Sequence, residues 1–392
     1  MQVRGPGMTE RFFASCPRGL ETALVAELNA LGATDVAAVD GGVGFAGELP
    51  LACRANLESR LASRILWRVG AAPYRDERDL YAAVHAIDWT RHFRPDRTLR
   101  VDIAATRSPL ASLEFATLRV KDAVCDRFRA EQGIRPSIDK RAPDVRVHVH
   151  LTEHEATIYL DTSGEALFKR GYRRESEEAP LRENLAAGLL ALAHWTPDRA
   201  LLDPMCGSGT IAIEAALIAA DRAPGLTRGF GFQKLSWYDG PAWQRMKQAA
   251  RDRVRHPPSP VSIFASDLSP QSVARTGANL AAAGVAEFVH VECADVLTRA
   301  APAAEGLLLS NPPYGVRLDD GRKLAEFYPR LGDALKKGYS GWTACLFTGD
   351  LRLAKLIGLK PDRRTPLWNG ALECRLFSFR IVAGSMRSRE PA

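Results

Sequence analysis

The chain has 392 residues, 46% of them hydrophobic, enough to furnish two or three separate cores, and it carries no run of about 18 apolar residues of the kind that spans a membrane. A formal charge of +7 and a pI near 9.1 favour a polyanionic partner. Seven cysteines (Cys16, Cys53, Cys125, Cys206, Cys293, Cys345 and Cys374) include no Cys-x-x-Cys pair, which argues against zinc and disulfide frameworks and for reduced thiols.

Met1–Gly7 lacks the apolar stretch of a signal peptide and reads as a disordered leader, so a cytoplasmic protein is expected. Arg11–Cys16 then reads as a strand, Leu20–Leu31 as an amphipathic helix, Gly42–Gly47 as a second strand and Leu51–Ile65 as another helix. A second group follows: a helix over Leu80–Ile87, an extended stretch at Leu99–Ala104, a helix over Phe115–Arg129, and paired strands at Val145–Leu151 and Ala156–Asp161. Small α+β units suit this order. His148 and His150 share one strand face, with His154 following, but no other ligand type joins them, so they are expected to be ordinary strand histidines and no metal is predicted.

Two basic clusters stand out. Arg91, Arg94, Arg97, Arg100 and Arg107 fall within a short span, and Lys169, Arg170, Arg173 and Arg174 flank Gly171-Tyr172. A charge run is usually a solvated face. Placed upstream of a pocket for a nucleobase, however, such clusters are what a single-stranded nucleic acid would follow.

The pocket is predicted from the second half. Ala200-Leu201-Leu202-Asp203-Pro204-Met205-Cys206-Gly207-Ser208-Gly209-Thr210, followed by apolar Ile211–Ala220, is strand, glycine turn and helix. Two glycines one residue apart let the backbone approach a ligand, and the helix N-terminus behind them suits a negative or accepting group. With no lysine after the second glycine and no third glycine, pyrophosphate is a poor fit and another nucleotide-type cofactor a better one. Cys206 is small enough for a tight turn, and that is the role expected of it rather than nucleophilic attack. The strand Val261–Asp267 ends in a carboxylate placed to accept ribose hydroxyls, and Asp295, at the end of Val289–Asp295, either receives an adenine amine or caps the next segment. Asp203 and Asp267 lie further apart than the ~20 residues of a simple βαβ unit. An insertion from about Asp221 to Pro260, with Trp237 and Trp243, accounts for the excess as a substrate flap or as packing.

Leu307-Leu308-Leu309-Ser310 runs into Asn311-Pro312-Pro313-Tyr314. Consecutive prolines remove two N–H donors, so the corner presents acceptors only. The Asn311 side-chain oxygen and the Pro312 carbonyl suit the two N–H groups of an exocyclic base amine, and the Tyr314 ring suits stacking on the base.

The glycine turn and the Asn-Pro-Pro-Tyr corner, in this order, resemble class I S-adenosylmethionine-dependent amino-methyltransferases. Phe12–Glu21, Ser59–Ile65, Arg119–Ala123 and Arg170–Arg173 extend the resemblance to the bacterial large-subunit rRNA guanine-N2 methyltransferases of the RlmL type. That resemblance covers about Glu10 to Arg380. It implies an α/β Rossmann-like class I methyltransferase domain (181–385) preceded by a ferredoxin-like region (8–58), an RNA-binding THUMP domain (59–165) and a linker (166–180). It implies S-adenosylmethionine as cofactor, 23S rRNA or its precursor as partner, no membrane, and methylation of a guanosine N2 by way of Asn311, Pro312, Pro313 and Tyr314. The methionine end of the cofactor falls to Asp203 and Asn184, the latter in Pro180–Ala187; Gly207–Gly209 allow close backbone approach, with Pro204, Cys206, Ser208 and Thr210 also counted to the cofactor site, and Asp267 falls to the ribose and Asp295 to the adenine. The fused 7-methylguanosine activity of some relatives is not carried over. The sequence leaves two alternatives open, a THUMP-bearing tRNA guanine-N2 methyltransferase and a non-catalytic RNA-binding assembly factor.

Overall fold

The computed structural model describes residues 8–173, 181–257, 260–313 and 321–382. They divide into two compact units: one takes in the chain up to Cys16, Leu24–Leu167 and Gly225–Ala249, and the other takes in Pro17–Ala23, Phe168–Pro224 and the chain from Ala250 onward.

The first unit runs β1 (Glu10–Ser15), α1 (Glu21–Ala30), β2 (Thr34–Val39), β3 (Gly42–Gly47), α2 (Leu49–Glu58), β4 (Arg64–Pro73), α3 (Glu77–His85), β5 (Leu99–Ala105), α4 (Leu113–Gln132), β6 (Val145–Leu151) and β7 (Glu155–Asp161). All seven strands join one sheet in the order β2-β3-β1-β4-β7-β6-β5, antiparallel except for β5 on β6. β6 shows why: Val145, Val147, Val149 and Leu151 are buried and the residues between them half-exposed, the period of two that a one-sided sheet requires. α4 is delimited by its caps, with the Ser112 hydroxyl accepting the Phe115 N–H at 3.2 Å and Gly133 in the left-handed conformation at φ 69°.

One expected helix is overturned. Leu51–Ile65 is not one helix: α2 stops at Glu58 and Ile65 belongs to β4. The half-buried Glu27 carboxylate accepts the Ser59 hydroxyl at 2.8 Å and also the N–H groups of Arg60 and Leu61, so these donors serve the carboxylate and the chain turns into β4. Strand β2 escaped sequence reading because it is an exposed edge with no alternating burial.

Much of the insertion packs into the first unit. Its Gly225–Ala249 stretch belongs to the first unit, where Phe232 meets Trp243 edge-on at 5.0 Å, Phe230 stacks on Phe232 at 5.3 Å, and Trp237 lies 6.2 Å from Trp67. A Cβ at Gly231 would stand 2.7 Å from the Asp161 carbonyl oxygen, so this close approach demands glycine.

The second unit runs α5 (Glu183–Leu192), β8 (Leu201–Asp203), α6 (Thr210–Ala219), α7 (Gly240–Asp252, shared with the first unit), β9 (Ile263–Asp267), α8 (Pro270–Ala283), β10 (Val289–Cys293), β11 (Gly306–Ser310), α9 (Gly321–Gly338), β12 (Trp342–Thr348), α10 (Leu353–Leu356), β13 (Arg363–Asn369) and β14 (Leu372–Arg380). Its sheet has the order β10-β9-β8-β11-β12-β14-β13, with the first five strands parallel and β14 and β13 antiparallel. β11 is buried along its whole length, as expected of a central parallel strand covered on both faces.

Candidate active site

In the second sheet the strand order reverses between β8 and β11, and ligands of open α/β sheets sit beyond the carboxyl ends of strands at such a reversal. Leu201 pairs with Leu307 and Leu202 with Leu308, which sets Asp203 beside the end of β11. There the Ser310 hydroxyl donates to Asp203 Oδ1 at 2.7 Å, with both residues buried. Burial pushes the Asp203 carboxyl up to about 7 against the opposing pull of the Ser310 and Met205 hydrogen bonds. Ser310 was not anticipated, although a hydroxyl ending an otherwise apolar strand was a readable sign.

The glycine turn leaves β8 and enters α6. Gly207 (φ 56°) and Gly209 (φ 81°) are left-handed, and a Cβ on Gly209 would come within 2.7 Å of Thr276 Cγ2. At Gly207 a Cβ would meet nothing within 4 Å, so the turn is open on that side. From α8, Thr276 donates its hydroxyl to the Gly207 carbonyl at 3.0 Å and Asn279 its amide to the Ser208 carbonyl at 3.0 Å. Asp267, at the end of β9, accepts the Gly207 N–H at 2.9 Å on one carboxylate oxygen and the Ser269 N–H at 2.9 Å on the other. Cys206 is buried with its sulfur 3.5 Å from Thr276 Oγ1, and burial pushes its thiol up, the reverse of what a nucleophile needs.

At the other strand end, Asn311 Oδ1 is buried and has no hydrogen-bond donor among the described residues. Pro312 is buried and Pro313 exposed, and the Tyr328 hydroxyl from α9 donates to the Pro313 carbonyl at 3.1 Å. Tyr314 lies outside the described residues. Asp295 accepts the Leu297 N–H at 2.9 Å on its carboxylate, and its carbonyl accepts from Thr298 and Arg299, so it caps the segment after β10. Asn184 is fully buried on α5, which packs against α6.

The basic clusters separate. Arg91, Arg94 and Arg100 lie on the first unit paired with Asp88 at 2.7 Å, Asp96 at 3.3 Å and Asp102 at 2.7 Å. Arg97 is half-buried, and Arg107 is exposed. On the second unit Lys169 is exposed, whereas Arg170 and Arg173 turn inward, and Arg174 lies outside the described residues. Arg170 is 4% exposed with Nε 3.5 Å from the Glu214 carboxylate, which also accepts the Tyr172 hydroxyl at 3.3 Å. The Arg173 guanidinium meets Glu183 at 3.3 Å, the Leu181 carbonyl at 3.1 Å, Ser208 Oγ at 3.4 Å and Thr210 Oγ1 at 3.1 Å. The expected solvent-facing basic face therefore loses Arg170 and Arg173, because buried carboxylates and the glycine turn take up their donors. Among the described residues there is no cluster of side chains fit to hold a metal, and no helix is long and apolar enough to cross a membrane.

Residues 170–378 match the RMKL-like methyltransferase domain, 74–161 the THUMP domain and 11–66 the RlmL ferredoxin-like domain. Among curated relatives, the ribosomal RNA large subunit methyltransferase K/L of Methylococcus capsulatus is 44% identical over 389 residues, which is 96% of this chain and 52% of the relative. The corresponding protein of Aeromonas salmonicida is 39% identical over 400 residues, 97% of this chain and 56% of the relative, so the chain spans about half the length of the curated relatives it matches. Among solved structures, SMU.472, a methyltransferase complexed with SAH, superposes with a TM-score of 0.87 at 29% identity, covering 96% of this chain and 99% of its own. A protein described as a predicted N6-adenine-specific DNA methylase from Listeria monocytogenes gives 0.86 at 28% identity, covering 95% of this chain and 97% of its own. The glycine turn at the sheet's reversal point and the Asn-Pro-Pro corner beside it thus sit in a chain that belongs to the RMKL-like methyltransferase family, with RlmL ferredoxin-like and THUMP domains ahead of the methyltransferase domain.

Proposed function

We propose that the protein methylates the exocyclic N2 of a guanosine in 23S rRNA with S-adenosylmethionine as donor, acting in the cytoplasm. The observation that carries this reading is Asn311 Oδ1, a buried acceptor with no donor among the described residues, standing one residue beyond the Ser310–Asp203 hydrogen bond. An orphaned buried acceptor costs about 1–3 kcal/mol unless a ligand satisfies it. The chain's similarity to relatives named as rRNA large subunit methyltransferases supports RNA as the substrate class.

The residues present fit the cofactor. The open side of Gly207 and the start of α6 would receive the methionine end together with Asp203 and Asn184, with Pro204, Cys206, Ser208, Gly209 and Thr210 shaping the turn. Asp267 would accept the ribose hydroxyls, and the Asp295 carboxylate oxygen not used in capping the Leu297 N–H would face the adenine edge. When bound, the cofactor supplies an electrophilic methyl group on a sulfonium.

The Asn311 side-chain oxygen and the Pro312 carbonyl accept the two N–H groups of the base amine, turning the nitrogen lone pair toward that methyl. The Pro313 carbonyl is already engaged by Tyr328, which leaves the two neighbouring acceptors to the amine. Alignment of this kind saves about 7–11 kcal/mol of barrier, so no strong general base is required, and the alkylated nitrogen loses its proton to water. Tyr314 stacks on the base at about 1–3 kcal/mol, offsetting the cost of unstacking it from the RNA. Arg91, Arg94, Arg97, Arg100, Arg107 and Lys169 are the basic residues proposed to meet phosphates, with Arg91, Arg94 and Arg100 already sharing their charge with Asp88, Asp96 and Asp102.

Incubation of the protein and labelled cofactor with 23S rRNA, its precursor particles or total tRNA, followed by nucleoside mapping, tests the reading. N2-methylguanosine in 23S rRNA is the expected product. Label confined to tRNA, or to an adenine amine, would replace it.

A further inference from the structure

We infer that Arg173 is a positioning residue for the cofactor pocket, holding the glycine turn in register with the start of α5. The inference rests on the reading of that turn as the cofactor site. A guanidinium has five N–H donors in a planar fork. In Arg173 four of them are spent on two segments that are remote in sequence: Nε on Glu183 and one NH2 hydrogen on the Leu181 carbonyl, then NH1 on Ser208 Oγ and the other NH2 hydrogen on Thr210 Oγ1. Leu181 and Glu183 bracket the entry to α5 immediately before Asn184, and Ser208 and Thr210 bracket Gly209.

One planar group therefore fixes the spacing between the two walls of the methionine end. The ion pair is shielded, with the Arg173 and Glu183 side chains 15% and 8% exposed, so it is screened far less than a surface pair. The cation also lies at the N-terminus of α6, where it adds to the partial positive charge of the helix and favours an anionic group such as a carboxylate. Lysine, with a point charge on a flexible stem, reproduces one contact of the four and not the fork.

The test is binding of S-adenosylhomocysteine by calorimetry to the full chain, with Arg173→Ala, Arg173→Lys and Glu183→Gln beside the wild type, and binding of a 23S rRNA fragment measured in parallel. Arg173→Ala is expected to weaken S-adenosylhomocysteine binding by about tenfold or more, as loss of a charge-assisted hydrogen bond predicts, Arg173→Lys to recover part of that loss, and Glu183→Gln to lose about threefold. RNA affinity should stay within about twofold for all three, because the group does not face solvent. Glu183→Gln and Arg173→Lys keep the test open should the alanine variant fail to fold. Unchanged S-adenosylhomocysteine affinity in folded Arg173 variants overturns the inference, and so does weakened RNA binding with cofactor binding intact. A wild type that binds no S-adenosylhomocysteine overturns the cofactor reading itself, so the two failures are told apart.

Discussion

The two strand ends that meet at the reversal of the second sheet differ in how their polar groups are satisfied. Beyond β8, the Gly207 N–H and carbonyl, the Ser208 carbonyl and both oxygens of Asp267 all have partners within the protein. Beyond β11, the Asn311 oxygen is buried with no donor among the described residues. A turn bonded from several sides is rigid and suits shape recognition of a cofactor. An acceptor left over is poised for a group that arrives from outside. Substitutions at the first end should therefore change affinity, and substitutions at the second should change turnover.

The largest effect is expected at Asn311. Asn311→Ala should lower kcat by about 10²–10³, the usual cost of removing one hydrogen-bonding group aimed at the reacting centre, and leave S-adenosylhomocysteine affinity within about twofold. Single-turnover kinetics beside calorimetry would read the split, and equal losses in both would erase the distinction between the two ends. Next is Asp267→Ala, expected to weaken cofactor binding by about ten- to a hundredfold with little change in kcat at saturation. Undiminished binding would refute the ribose role.

A smaller effect sharpens the comparison through pH. The Asp203 carboxyl ordinarily titrates near 3.8 and is raised to about 7 by burial, so between these values the folded protein holds a proton that the unfolded chain has released. Stability of the cofactor-free protein should fall as pH rises through that window and level off above about 7. Asp203→Asn should flatten this part of the profile in thermal melts at constant ionic strength. A cationic methionine amine seated beside Asp203 would pull the proton off, so cofactor binding at pH 6 should release protons, seen as a dependence of the binding heat on buffer ionisation enthalpy. The smallest effect is expected in the first unit, where Arg100→Ala should cost RNA binding less than about twofold because Asp102 already takes up that charge, with Arg107→Ala costing more. A reversed order would restore the intact basic face.

What was legible in the sequence was local. Continuous apolar runs at Leu201-Leu202 and Leu307–Leu309 marked strands buried on both faces, and the glycines and prolines that follow marked where those strands stop. Alternation over Val145–Leu151 placed a one-sided strand. The helix misread through Ile65 failed because the group that stops it, Glu27, lies 32 residues before Ser59. Trp237 and Trp243 were visible as aromatic weight, but not where they pack.

The sequence by itself determined the order of elements at the site, the glycines that permit the turn, and the proline-stiffened acceptor corner, because each depends on backbone dihedrals and on neighbours within a few residues. Only the tertiary structure decided which charges meet solvent. Lys169, Arg170 and Arg173 read as one cluster, yet Arg173 finds Thr210 Oγ1 across 37 residues and Arg170 finds Glu214, while Lys169 stays exposed. Burial of a charge is set by partners brought close through folding, and no local pattern encodes them.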